Sequence, residues 1–374
     1  MFSLVIPTFN RAFYFERLLS YYSDLHFEHS IVVADSSSGS SLETNREVVE
    51  ATQKNLNVSH QIYPADTPPY AKLVRTLCSL RSPYVAVCAD DDFIIPSGLA
   101  KCVEFLDANP GYSIAHGYTT AVLVVRGDSE REQIKDASSY PQRGIELETA
   151  ADRLVDHLSH YTATYYSVHR RAQLAVSLQR ASDRTVDYRF GELLSSCLSL
   201  IRGKARRLDV LYMVRQADLE PPKYAEKMMP WHELLVVEDF PKRYAEFRDC
   251  LADELMHAST LSVEEANAVV DRGFASYLAE NVTSNNDHGQ RPLDRALRAI
   301  RSLPLAVRAA ILDGEFLGMI RDPRQSYRRV AAMQDKMSLP SLLNARSPFH
   351  SDFMHVYRHL LMTSSREKTV HGDC

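Results

Sequence analysis

The chain has only six cysteines in 374 residues, and Cys78, Cys88, Cys102, Cys197, Cys250 and Cys374 share no metal-ligand spacing. That excludes a zinc ribbon, and because several lie in apolar stretches they read as reduced, buried thiols of a cytosolic protein. No run reaches the roughly 18 to 20 apolar residues that a spanning helix needs, and the N-terminal apolar run is interrupted by Pro7. Neither a membrane span nor a secretion signal is expected. Without a secretory route, the acceptor patterns Asn57-Val-Ser59 and Asn281-Val-Thr283 carry no weight. Excess positive charge is missing as well: a net charge of -5 argues against nucleic acid as a partner. Repeats and low-complexity tracts are absent apart from the serine run at 36–41. The expected location is the cytoplasm, extending to the inner face of a membrane.

What is present is an acidic triplet. Tyr84-Val-Ala-Val-Cys-Ala89 reads as a buried parallel strand, and Asp90, Asp91 and Asp92 follow it directly, at the edge where open α/β sheets bind ligands. Three adjacent like charges raise one another's pKa unless a cation neutralises them. Oxygen ligands on a short turn suit Mg2+ or Mn2+, hard ions that accept substrate phosphates as further ligands. The plainer alternative is a solvated acidic turn capping a helix that begins near Pro96-Ser97.

The residues before the triplet form repeated strand–turn–helix units. Phe2 to Ile6 is a strand that Pro7 ends, and Asn10 caps the amphipathic helix through Tyr22. Ser30-Ile-Val-Val-Ala34 is a second strand, ending at Asp35 and the serine run. A third, shorter strand spans 58–63, and Pro68-Pro69 opens a helix bearing Lys72 and Arg75, which are either phosphate helpers or ordinary surface charge.

Taken in order, Leu4-Val-Ile-Pro-Thr-Phe-Asn10-Arg11, Val32-Val-Ala-Asp35-Ser-Ser-Ser-Gly39 and Tyr84 through Asp90-Asp91-Asp92 to Pro96 resemble the motifs of the family 2-like, GT-A-fold nucleotide-sugar glycosyltransferases over about residues 1–216. The resemblance implies that Pro7, Thr8, Asn10 and Arg11 line a nucleotide pocket and that Asp35 bonds the base. It places Asp91 at the family's metal-binding aspartate, with Asp92 as its neighbour in the metal set. Ala89 stands where the family carries its first acid, so the ribose and sugar contacts pass to Asp90. Many members have a histidine near position 215; here Arg215 is assigned to the diphosphate by forked hydrogen bonding.

An inverting transfer also needs a base for the acceptor hydroxyl. Family members carry an acidic pair at the start of a helix that ends in a Gly-aromatic-Lys-like turn. Counting back from Gly203 gives Glu192 as that base, with Asp187 as the substitute because Gly191 replaces the first acid of the pair. Between triplet and base, 111–118 and 121–125 read as two strands, 126–143 as a loop or hairpin excursion, and 163–169 as a further strand. His116, Tyr118, Tyr165 and His169 are the candidates for acceptor recognition; satisfied, partly buried residues are the alternative.

From Pro221 onward strand patterns give way to helical periods at 231–256, 262–279, 292–320, 324–337 and 351–364. The expected fold is therefore α/β, a GT-A (Rossmann-like) mixed central sheet flanked by helices in residues 1–216, followed by a C-terminal all-helical domain, 217–374. That domain would pack beside the acceptor cleft or build a homodimer interface. Arginines at 298, 301, 308, 321, 324, 328 and 329 make one stretch basic: a solvated face, or a contact for anionic lipid or an acidic acceptor.

The resemblance implies metal-dependent transfer, with Mn2+ or Mg2+, from a nucleotide-diphosphate sugar, uridine-based, to a saccharide or glycoconjugate hydroxyl, as in polysaccharide assembly. Two rivals stay open. A nucleotidyltransferase would want a glycine-rich phosphate loop that Thr8-Phe9-Asn10 does not supply, and a sugar-binding scaffold that lost its chemistry would account for Ala89 and Gly191.

Overall fold

β-branched runs and amphipathic stretches alternate through the first hundred residues, and the computed structural model turns them into parallel strands crossed by helices. It describes residues 1–126, 132–184, 188–217, 231–235, 237–284 and 336–361. Strands β1 (Phe2–Thr8), β2 (Ser30–Asp35), β3 (Val58–Ile62) and β4 (Tyr84–Val87) are linked by α1 (Ala12–Asp24), α2 (Gly39–Thr52) and α3 (Pro69–Ser79). They pair in parallel in the order β3-β2-β1-β4. Pro7 is tolerated inside β1 because it lies beyond the last β1–β4 pair, Val5 with Val87, so no partner on that side wants its missing N–H.

After the triplet come β5 (Phe93–Ile94) and α4 (Pro96–Ala108), then β6 (Tyr112–Arg126) and β7 (Glu132–Tyr140) as an antiparallel hairpin. Then follow α5 (Ala150–Ser159), β8 (Val168–Arg170), α6 (Arg171–Arg184), α7 (Tyr188–Arg202) and β9 (Lys204–Ala217). The sheet continues from β4 through β8, β6 and β9 to β5, with β8 and β5 antiparallel to their neighbours. This is a mixed sheet flanked by helices, as expected.

Two local expectations change and one narrows. The two short strands at 111–125 are one strand, β6, whose register slips at Gly117; a Cβ there would sit 2.3 Å from the Val210 carbonyl oxygen, so only glycine admits the close approach of β9. The 126–143 excursion contains β7 of the hairpin. The strand at 163–169 shrinks to β8, because Thr164 accepts bonds from Ser167 N–H and the His169 ring and folds the segment into turns.

Helices α8 (Trp231–Leu234), α9 (Phe240–Ala258), α10 (Val263–Ser284), α11 (Leu339–Leu343) and α12 (His350–Leu360) complete the described chain. Pro241 starts α9 afresh, which divides the helix expected over 231–256. The periods at 292–320 and most of 324–337, with their arginines, lie outside the described residues. A boundary at 216 does not separate the cores. Helices α8, α9 and α10 share one apolar cluster with α5 and α7, and Met337, Leu342, Phe353, Val356 and Leu360 join the cluster of α1, α4 and the sheet. The opposite face of β1 and β4 is covered by α3 and α6 through Leu73, Leu77, Leu174 and Leu178.

Candidate active site

Parallel strands deliver their C-terminal ends to one rim, and the polar residues of the sequence motifs meet there. Thr8 ends β1 and donates its hydroxyl to Asp90 Oδ2 at 2.8 Å. Arg11, on the turn into α1, spans two acids: Nη1 lies 2.9 Å from Asp90 Oδ1 and Nη2 2.6 Å from Asp91 Oδ2. Asn10 takes a left-handed φ of 52°, and from it binds the neighbouring turn, its N–H to Ser37 Oγ at 2.8 Å and its Oδ1 to Ser38 N–H at 2.9 Å. Pro7 contributes the strand end itself, paired opposite Ala34.

Lys72 is no surface charge. Its ammonium is buried, donating to the Thr8 carbonyl at 3.0 Å and Ser36 Oγ at 2.9 Å, and burial lowers its pKa against the pull of Asp35 and Asp90. Asp90 is sealed beneath Arg11; desolvation pushes its carboxyl up to about 6, although Arg11 pulls the other way. Arg11 itself is raised: burial alone would lower it, and Asp90 and Asp91 outweigh that.

Asp92 turns inward. Its carboxylate receives Arg215 Nε at 3.2 Å and the Gln216 N–H at 3.1 Å, and burial followed by the charge of Asp91 raises its pKa. Arg17, a buried arginine on an otherwise apolar helix face, reinforces this corner by donating to Gln216 Oε1 at 2.6 Å, packed among the rings of Phe13, Tyr14 and Phe93.

Two groups on this rim stay open. Asp91 is 19% exposed and Arg215 is 28% exposed and rests between Tyr140 and Tyr166; among the described residues neither Asp91 Oδ1 nor Arg215 Nη1 or Nη2 has a bonded partner. Among the described residues no three His, Cys, Asp or Glu side chains form a metal cage. A hard divalent ion that keeps its waters and takes substrate phosphates needs only one or two carboxylates, and the open oxygen of Asp91 fits that mode. The oxygens of Asp92, the other expected metal ligand, accept from Arg215 and Gln216 instead.

Asp35, expected at the base, is bonded within the protein. It is fully buried, its Oδ1 accepting the Ser37 N–H at 2.7 Å and its Oδ2 accepting from Asn45 Nδ2 and His60 Nε2, both at 2.9 Å. Burial, which favours the neutral acid, is outweighed by these bonds, so the pKa falls.

The acceptor candidates do not gather at the rim. His116 and His169 are buried and bonded to backbone carbonyls: His116 to Gly117 and Arg143, His169 to Thr164. Burial lowers both, His169 to about 4. Tyr118 packs on Phe349 beneath Arg207, and Tyr165 packs edge-on against Tyr166, which itself lies beside Arg215. Glu192 lies on the second turn of α7 and accepts the Tyr161 hydroxyl at 2.9 Å, at the margin of the helical cluster. Asp187 lies outside the described residues.

The residues missed from sequence are Arg17, Asn45, His60 and Gln216. Only Arg17 carried a signal, a lone cation in an apolar helix period.

No protein family model and no curated protein matches the chain. Among solved structures, the chain is similar to residues 1–349 of TarS from S. aureus in complex with UDP-GlcNAc, at 17% identity over 88% of this chain and 91% of that one, with a TM-score of 0.51. The mannosyltransferase PcManGT from Pyrobaculum calidifontis, in complex with GDP-Man and Mn2+, aligns at 17% identity over 88% and 85% with a TM-score of 0.42. The first likeness establishes the fold, that of the GT-A glycosyltransferases.

Proposed function

We propose that the chain is a glycosyltransferase that moves a sugar from a nucleoside-diphosphate donor, uridine-based, to a hydroxyl of a saccharide or glycoconjugate, with inversion at the anomeric carbon. The observation that carries this reading is a pair of groups at this rim, the carboxylate oxygen Asp91 Oδ1 and the guanidinium fork of Arg215, neither of them bonded among the described residues, beside a network in which Asp90 and Asp92 are already satisfied. A diphosphate is the ligand such a pair suits. Arg215 donates two parallel bonds to its oxygens, and Asp91 would hold the divalent cation, Mn2+ or Mg2+, which neutralises charge as the diphosphate departs. The GT-A fold and the UDP-GlcNAc held by TarS support the donor class.

The chain's own residues do the rest. Arg11 and Thr8 hold Asp90 so that its oxygens keep a fixed place near ribose and sugar. Lys72 locks the β1 and β2 ends together. Glu192, oriented by Tyr161, is assigned as the base that takes the acceptor proton, with Asp187 as its substitute. Tyr118 and Tyr165 remain the acceptor-side assignments; His116 and His169 hold the sheet behind them. A cytoplasmic setting fits the described residues, in which no helix is long and apolar enough to cross a membrane.

A melting-temperature panel of UDP, GDP and their sugars, with and without Mn2+, tests the reading, because a ligand of the folded state raises stability by mass action. Donor hydrolysis that releases nucleoside diphosphate and vanishes in Asp91→Ala is the expected outcome. Pyrophosphate release would instead identify a nucleotidyltransferase, and silence towards every nucleotide would leave the scaffold reading.

A further inference from the structure

Away from the rim, α11 and the turn that follows it border a cleft of about 270 Å3, closed on another side by Asp209 of β9. Asp209 lies six residues before Arg215 on that strand, roughly 20 Å along it at about 3.3 Å per residue. The cleft and the rim share no residue.

The segment that lines the cleft is pinned to the sheet. Met337 and Leu342 are fully buried, and the Met337 carbonyl accepts the Thr120 hydroxyl of β6 at 3.2 Å. The Leu342 carbonyl meets His350 Nδ1 at 3.0 Å, and the Phe349 ring packs on Tyr118 with centroids 5.6 Å apart. Groups held on such a segment bind without first having to be ordered.

Hydrogen-bond accounting gives the cleft its chemistry. Asn344 Oδ1 is already engaged by the Arg346 N–H at 3.0 Å, and Ser347 Oγ by the Phe349 N–H at 3.3 Å. What these side chains still offer is hydrogen, from the Asn344 amide nitrogen and the Ser347 hydroxyl. The Ser341 hydroxyl, the Lys336 ammonium and the Arg346 guanidinium join them, none with a bonded partner among the described residues. Two cations and three neutral donors therefore border one space with a single carboxylate, Asp209, which forms no ion pair among the described residues. A set so rich in donors suits an oxyanion, held by charge-assisted bonds, on a molecule with a hydroxyl for Asp209 to accept. Phe349 adds an apolar surface. Sites for drug-sized ligands run from roughly 300 to 1,000 Å3, so the occupant is smaller than those.

We propose that this cleft is a second ligand site, for a small sugar phosphate. Lys336, Arg346 and the hydroxyls of Ser341 and Ser347 take the phosphate, and Asp209 takes a sugar hydroxyl. The assignment stands independently of the donor reading.

The test is calorimetric titration of the full chain with glucose 6-phosphate, glucose 1-phosphate, inorganic phosphate and glucose. At least one hexose phosphate should bind with a Kd below about 1 mM, about tenfold or more tighter than phosphate or glucose, each of which can make only part of the contacts. Lys336 and Arg346 are exposed, so their removal should leave the fold intact; Lys336→Ala and Arg346→Ala should each weaken the hexose phosphate about tenfold or more, the effect of one charge-assisted bond lost. Asp209→Ala separates the two halves of the site: inorganic phosphate should bind more tightly once a like charge is gone, while the advantage of the sugar phosphate over it should shrink. Hexose phosphate binding that is unchanged in both Lys336→Ala and Arg346→Ala locates the ligand elsewhere and overturns the assignment. So does a failure of both hexose phosphates and inorganic phosphate to bind the unaltered chain. Inorganic phosphate that binds as tightly as either hexose phosphate overturns the sugar half and leaves a site for the free anion.

Discussion

The rim and the helical cluster handle buried charge in opposite ways. At the rim, acids are matched by cations brought from far along the chain: Arg11 on Asp90 and Asp91, Arg215 on Asp92, Lys72 beneath Thr8. The match is incomplete, since Asp91 Oδ1 and the Arg215 fork have no partner among the described residues and both side chains are partly exposed. In the cluster of α5 and α7 to α10, aromatic rings dominate: Phe190, Trp231, Phe240, Tyr244, Phe247, Phe274 and Tyr277. Acids enter only at its margins and are closed off, Asp271 by the Tyr244 hydroxyl and Glu254 by Arg180 and Arg202. One region keeps ligand capacity; the other fastens helices.

The contrast breaks most visibly in Phe274→Ala. Phe274 is fully buried and its ring centroid lies 4.6 Å from that of Tyr244 and 5.6 Å from that of Phe247. Its loss should cost about 4 kcal/mol of stability, the usual range for deleting a buried phenyl ring, read as a shift in the denaturant midpoint; a change below about 1 kcal/mol would mean the cluster tolerates a void.

Glu192 sits at the edge of the fastening cluster, bonded to Tyr161, and is the base proposed for the transfer. Glu192→Gln should lower turnover roughly 100-fold, about 2.7 kcal/mol in activation free energy, while donor affinity stays within twofold. Unchanged turnover would return Glu192 to a structural role beside Tyr161.

The smallest effect is a pH dependence with opposite signs in the two regions. His157, buried on α5 without a bonded partner among the described residues, is held down to about 3 by burial and then by Arg143. The unfolded chain takes up that proton below about 6.5 and the folded chain does not, so stability falls as pH drops from 6.5 towards 3; at pH 5 the penalty is about 2 kcal/mol. Asp90, pushed up to about 6, does the reverse: the folded state holds a proton that the unfolded state releases, and its contribution declines as pH rises from about 4 through 6. His157→Phe should therefore be more stable than the unaltered chain at pH 5 by more than at pH 8, as followed by thermal melts. An equal difference at both pH values would show that the ring is protonated in place.

The strands and the acidic rim were legible because their signals are local: β-branched runs that stop abruptly at Asp35 and Asp90, and turns rich in Pro, Asn and Ser. What the sequence hid was direction. Asp90, Asp91 and Asp92 are adjacent in the chain, yet one is capped by Thr8 and Arg11, one opens outward and one turns back to Arg215, and only the partners reveal which. Asp35 reads as a ligand group, and nothing local in the sequence shows that Ser37, Asn45 and His60 bond its buried carboxylate. Gly117 appeared to end a strand and instead allows a slip within one. The apolar cluster that joins α5 and α7 to α8, α9 and α10 across position 216 is a pairing of remote segments with no local mark.

A last consequence concerns synthesis. Helix α12 lies on α1, with His359 Nε2 3.2 Å from Asp24 and its ring edge-on to Tyr21, and with Asp352 accepting from Ser97 on α4. The outer side of α1 is thus sheltered by residues made more than 300 positions later. At about 5–20 residues per second that wait lasts some tens of seconds, during which the nascent sheet is half-dressed and should lean on cellular chaperones.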